Sequence, residues 1–282
     1  MNSTRMPYRL GLPAWAFPGW KNVFFESEPS MLSSYASVFN AVEGNTTFYS
    51  IPSVDKVLGW REALQKKDFK ISFKLPRSIT HQQRFNANDL RVFLDRMDLL
   101  SDYLGPFLLQ FPDWVDIKHL QKLDEVYAAL ASRTGAIVEV RHLQMFRKPE
   151  LLEPLLNVYG FGRCMLDSRA LYAGDSSHPD VQAAEHRKPA VPVLPESQNE
   201  LAFVRLILHP AASSNDRYMQ EWAKRTARWI NAGITPVIMI HCPNNYFCPE
   251  FALRFHAMLQ TSYEGEIPQL PPWPVPQQGQ LW

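Results

Sequence analysis

Eight short apolar runs recur along this sequence, and most give way to polar or charged residues. The clearest is Ala136-Ile137-Val138-Glu139-Val140-Arg141-His142. A β-branched apolar run of this length reads as a buried strand. A carboxylate inside it is costly unless it is paired or faces a wet cavity. Glu139 and Arg141 are two apart, so on a strand they point to the same side. The other runs lie at 8–12, 41–45, 69–75, 107–110, 163–166, 203–208 and 236–240.

Helical patterns fill the intervals. They are predicted at 31–39, after Pro52, and at 89–100, 117–131, 149–158, 216–231 and 249–260. In the 89–100 stretch Leu90, Phe93, Leu94, Met97 and Leu100 form one stripe. The runs recur every 27 to 40 residues, the rhythm of a (β/α)8 barrel of about 250 residues. Alternation implies a parallel sheet, and eight units favour closure into a TIM-type barrel. An open doubly wound sheet is the rival, but no G-x-G-x-x-G follows the first run and there is no P-loop. The rhythm stalls after the sixth run. From Ala170 to Glu200 only a short helix near 180–187 is predicted, and Pro189, Pro192 and Pro195 hold the rest extended. A loop this long is usually functional or a lid. The expected organisation is one barrel domain over 1–266 and an extended, proline-rich tail over 267–282.

The 282 residues are 46% hydrophobic and 20% charged, a globular composition. A net charge of +1 provides no global basic field for nucleic acid, so any anion site must be local. No run approaches the roughly 18 apolar residues of a membrane span. The stretch from Met1 to Pro7 lacks the apolar core of a signal peptide. Cys164, Cys242 and Cys248 form no C-x-x-C pair. A cytoplasmic location is therefore expected.

In such barrels the site lies at the C-terminal ends of the strands. Here those ends supply Trp15, Glu43, Asn45, Lys74, Gln110, Glu139, Arg141, His142, Asp167, Arg169, Arg205, His241 and Asn244. Glu43, Glu139 and Asp167 are the catalytic candidates: a carboxylate near a cation stays ionised, while a desolvated one has a raised pKa suited to proton transfer. Trp15, Asn45, Tyr49, Lys74, Arg141, Arg205 and Asn244 are the candidates for substrate binding. A lone ammonium at a strand end, such as Lys74, needs a carboxylate or a ligand. Arg205 lies within its run, and a structural pairing with Glu43 or Glu139 is the expectation there. His81, His142 and His241 are metal-ligand types beside the three carboxylates. Their spacing is dispersed, no H-E-x-x-H occurs, and Lys and Arg compete with a cation. No metal and no cofactor are expected, with a divalent ion as the alternative.

Six motifs taken together resemble a known family. They are Gly11-Leu12-Pro13-Ala14-Trp15, Val42-Glu43-Gly44-Asn45-Thr46-Thr47-Phe48-Tyr49, Phe73-Lys74-Leu75-Pro76 with Ile79-Thr80-His81, Leu109-Gln110-Phe111-Pro112, Val138-Glu139-Val140-Arg141-His142, and Leu166-Asp167-Ser168-Arg169. In that order, across nearly the whole chain, they resemble the YecE-like family, domain of unknown function 72. Asn244-Asn245 resembles the family's Asn pair. The resemblance implies a TIM-barrel-like fold in a bacterial cytoplasmic protein and no particular reaction.

The tail carries five prolines and ends on Leu281 and Trp282. Such an apolar end is docked back on the barrel, bound by a partner, or disordered, with docking the leading expectation. Gln278, Leu281 and Trp282 resemble the Gln-x-x-Leu-aromatic peptides that bind the bacterial DNA sliding clamp. The leading expectation is an enzyme, a hydrolase or isomerase, acting by acid/base chemistry on a small phosphate- or carboxylate-bearing substrate. The alternatives are a DNA-repair or replication accessory or nuclease recruited to the clamp, and a non-catalytic binding protein.

Overall fold

In the computed structural model, residues 5–27, 30–65, 67–185, 187–194 and 201–275 are described. Among them are eight parallel strands: β1 (Arg9–Leu12), β2 (Ala41–Gly44), β3 (Lys70–Phe73), β4 (Phe107–Gln110), β5 (Ala136–Glu139), β6 (Gly162–Asp167), β7 (Phe203–Ile207) and β8 (Val237–His241). Their order is β3-β2-β1-β8-β7-β6-β5-β4, the order of a barrel cut at one seam. Bridges Ile71↔Leu104 and Lys74↔Leu108 hold the seam between β3 and β4. The Gly105 N–H donates to the Ile71 carbonyl at 2.9 Å, and the Leu75 N–H to that of Leu108 at 3.1 Å. The sheet is thus a nearly closed barrel with helices between its strands.

Nearly every strand residue is buried, as expected when a parallel sheet is covered on both faces. Side chains alternate along each strand, so one set fills the barrel and the other meets the helices. At the bottom of the interior Ala41, Leu108, Ile137, Cys164, Phe203 and Met239 form one apolar cluster. Gly11 leaves it room: a Cβ there would lie 2.5 Å from the Ala41 carbonyl oxygen and 2.8 Å from Met239 Sδ. Two residues further along, the same inward face carries Glu43, Gln110, Glu139, Leu166, Arg205 and His241. Lys74 stands in the same relation to Ser72 on β3. The barrel therefore has an apolar plug below and a polar layer above it, toward the C-terminal ends of the strands.

The outer layer agrees with the predicted helices, with local differences. The predicted helix 117–131 is two helices, Ile117–Leu120 and Asp124–Ala131. Asp116 caps the first by accepting from the His119 N–H at 3.0 Å. Leu123, at φ −108° and ψ 23°, separates them. Short helices Arg77–Thr80, Leu143–Arg147 and Arg169–Ala173 begin just after strand ends. After β6 the chain forms Pro179–Ala184 and then crosses to the barrel mouth. Ser168 Oγ donates to the Pro189 carbonyl at 2.7 Å, and the Tyr172 hydroxyl donates to that of Lys188.

The described part of the tail lies on the barrel. Gln260 donates to the Ile267 carbonyl at 3.0 Å, and Trp273 stacks edge-on against Phe24 and Phe25. Gln278, Leu281 and Trp282, the expected partner-binding residues, lie outside the described residues. Among those described, no helix is long and apolar enough to cross a membrane.

Candidate functional site

A cavity of about 630 Å3 opens over the polar layer. Its floor is an ion network that closure of the barrel assembles from five strands. Arg205, on β7, is buried between two carboxylates that are themselves buried. Its Nε and Nη2 donate to Glu43 Oε2 and Oε1 at 2.8 and 2.9 Å, a bidentate fork. Its Nη1 donates to Glu139 Oε2. The other lone pairs of both carboxylates are also occupied. Glu43 accepts from Asn45 Nδ2 at 2.8 Å and from His241 Nε2 at 3.1 Å. Glu139 Oε1 accepts from Gln110 Nε2 at 2.6 Å and from Arg141 Nε at 3.1 Å.

This geometry sets the protonation states. Burial is the largest single influence and would raise both carboxyl pKa values, but the charges and hydrogen bonds around them together outweigh it. Arg205 with His241 holds Glu43 well below the usual carboxylate range, and Arg205 with Arg141 and the Gln110 amide brings Glu139 down to about 2. His241 is pushed down to about 4 by burial, against the pull of Glu43. Near neutral pH it is therefore an uncharged N–H donor to Glu43, with its other ring nitrogen free to accept. Lys188 Nζ lies 3.4 Å from that nitrogen, Nδ1.

The charges within the floor balance: Glu43 and Glu139 against Arg205 and Arg141. Lys74 and Lys188 are additional. Among the described residues neither pairs with a carboxylate. Lys74 Nζ donates to Gln110 Oε1 and lies 3.8 Å from the Phe48 ring centroid. Burial, and then the nearby charge of Arg205, lowers Lys74 to about 7 and Lys188 to about 8. Burial, and then the charge of Lys74, brings His81 down to about 4.

The structure brings most of the sequence-predicted residues together. Glu43, Asn45, Lys74, Arg141, Arg205, Trp15 and Tyr49 line the cavity, and Glu139 lies beneath it in the network. Trp15 stacks edge-on against Trp60 at 5.2 Å. Tyr49 stands at the rim, 83% exposed. Two predicted residues lie elsewhere. Strand alternation turns Cys164 and Leu166 inward and therefore Asp167 outward. Asp167 is buried there, accepting from Trp222 Nε1 at 2.7 Å and paired with Arg169. Asn244 caps the turn Asn245–Phe247 through the Tyr246 N–H, and Asn245 lines the cavity in its place. Lys188 was not predicted. The one sequence signal for it is that it lies in the overlong segment after the sixth strand. Among the described residues no group of three or more His, Cys, Asp or Glu side chains is arranged to hold a metal ion.

Fold and site together define a (β/α)8 barrel with a charged cavity at the C-terminal ends of its strands. The chain belongs to the family described as Protein of unknown function DUF72, whose sequence model matches residues 9–278. It is 33% identical over 269 residues to the UPF0759 protein YecE of Escherichia coli (strain K12), covering 93% of this chain and 97% of that protein. The YecE of E. coli O157:H7 is 32% identical over the same length. Among solved structures, a DUF72 family protein from Enterococcus faecalis V583 superposes with a TM-score of 0.64 at 19% identity, covering 91% of this chain and 97% of that one. One from Thermotoga maritima MSB8 superposes with the same TM-score at 20% identity, covering 91% and 100%. At these identities the structural likeness speaks for the fold.

Proposed function

We propose that this protein is an enzyme that binds a small phosphate- or carboxylate-bearing substrate at the barrel mouth and acts on it by acid/base chemistry, in a hydrolysis or an isomerisation. The carrying observation is the charge arrangement. The floor is internally neutral, and among the described residues Lys74 and Lys188 face the cavity without a carboxylate partner. An anion of one or two charges would complete the set. Arg141, itself tied to Glu139, adds planar donors on one wall.

The same arrangement assigns roles. Glu43 and Glu139 are held ionised by saturated hydrogen bonds and serve as fixed counter-charges that orient Arg205 and Arg141. Proton transfer falls to Lys74 and Lys188, whose values of about 7 and 8 match the operating range of a general acid or base. Trp15, Phe48 and Tyr49 supply the apolar wall that a ligand pocket needs beside its few polar groups.

The test is thermal unfolding of the full chain in sulfate, whose charge is constant over the pH range used. A specific anion stabilises the folded state by mass action, by about 2.7 kcal/mol at a hundred times its Kd. The expected midpoint shift is larger at pH 6.5 than at pH 9, because both lysines lose their protons across that interval. It shrinks in K74M/K188M to the general salting effect. An equal shift in wild type and double variant removes the reading. The same assay over a metabolite collection would then identify the substrate.

A further inference from the structure

We propose that Lys74 is a carbonyl-reactive amine, which forms a Schiff base with a small aldehyde or ketone whose carboxylate or phosphate is held by Arg141 and Lys188. The inference rests on the reading of the cavity as an anion site and adds the reacting group of the substrate.

Three features of the surroundings carry it. First, the partner of Lys74 is neutral. A lysine paired with a carboxylate stays protonated and is no nucleophile. Lys74 instead donates to Gln110 Oε1. The orientation of that amide is fixed, because its nitrogen donates to Glu139 at 2.6 Å. Second, the carboxylates nearest to it are engaged by guanidinium groups, both oxygens of each. Third, Lys74 is desolvated, and the charge of Arg205, with a smaller share from Arg141, disfavours an ammonium here against the pull of Glu139 and Glu43. Desolvation and a neighbouring cation are the two means by which a lysine becomes a nucleophile at neutral pH. At about 7, a large fraction of Lys74 is free amine. Lys188 differs: its Nζ contacts the accepting nitrogen of His241, which suits it to move a proton and to hold an anion.

The step balances without an oxidant. The Lys74 nitrogen lone pair attacks the carbonyl carbon, and the C–O π pair moves to oxygen, which takes a proton. The nitrogen gives up a proton, leaving a carbinolamine. Protonation of its hydroxyl, for which Lys188 is the cationic acid on the same cavity, releases water as the C=N bond forms. The protonated imine then withdraws electrons from the neighbouring carbon, the activation that an isomerisation or a carbon–carbon cleavage requires.

The test uses glyoxylate as the probe on the full-length protein, with borohydride to reduce any imine and peptide mass mapping to place it. The expected result is one saturable adduct on Lys74. It forms faster as pH rises from 6 to 8 and is suppressed by sulfate. In K74R the site is unmodified, with the thermal midpoint showing that the barrel still folds, and in K188R the adduct forms more slowly but still maps to Lys74. Labelling spread over exposed lysines, concentrated on Lys188, or absent overturns the proposal. If the adduct is absent while sulfate still stabilises wild type more than K74M/K188M, the anion site stands and only the imine chemistry falls. If both signals are absent, both readings fall.

Discussion

Arg205 carries one positive charge between two carboxylates that folding removes from water. Removing one partner of a buried ion network leaves uncompensated charge, which costs about 3–5 kcal/mol. R205M is therefore expected to lower the unfolding free energy, read from urea titration at pH 7, by that much. The triple variant R205M/E43L/E139L should recover part of the loss, because an apolar trio of similar volume needs no compensation, while Arg141 loses its carboxylate partner. A mild R205M would mean that Glu43 and Glu139 are relieved by solvent instead. At this scale the sequence was informative about residue type but not about partner. It placed Glu139 and Arg141 on one face, and they do pair. It offered two carboxylates for Arg205, and the guanidinium takes both. Asp167 differs from Glu43 and Glu139 only in strand parity: Cys164, two residues before Leu166, belongs to the barrel interior and so fixes Asp167 outside it.

Among the elements, the strands were the most legible. Their runs are apolar on both faces, and a run of this kind has few alternatives in an alternating chain. The paired segments are in most cases a residue or more shorter than the runs, because the last residues bend into the loops that build the site. The short helices after β3, β5 and β6 had no readable signal, since four or five residues do not span enough turns to show a period. The β1–β2 contact makes a sharper claim. Gly11 sits opposite Ala41 in register, and a Cβ would meet the Ala41 carbonyl oxygen at 2.5 Å. G11A forces the strands apart and is expected to cost about 1–3 kcal/mol, the usual range for overpacking. Chemical denaturation reads this directly; an unchanged midpoint would show that the two strands yield freely at their lower end.

For the whole molecule, the ion network couples stability to pH. The folded pKa values of Glu43 and Glu139 lie below those of the unfolded chain, so the unfolded state binds more protons as the solution is acidified. Their contribution is fully present above the ordinary carboxylate range and is lost as pH falls from about 4.5 toward 2. The urea midpoint is thus expected to drop steeply over that interval, and the drop should be shallower in E139Q. Equal slopes for wild type and E139Q would show that Glu139 keeps an ordinary pKa after folding.

What the sequence determined by itself is the architecture and the chemical character of each strand end, because strand periodicity and the helix–strand rhythm are local properties of the chain. Only the tertiary structure decided which of those ends meet. Glu43 reaches Arg205 across 162 positions, and Lys188 arrives at the mouth because hydroxyls of Ser168 and Tyr172 hold the segment that carries it. Those contacts exist because eight tilted strands close on one another, and closure assigns neighbours in space that no local pattern encodes.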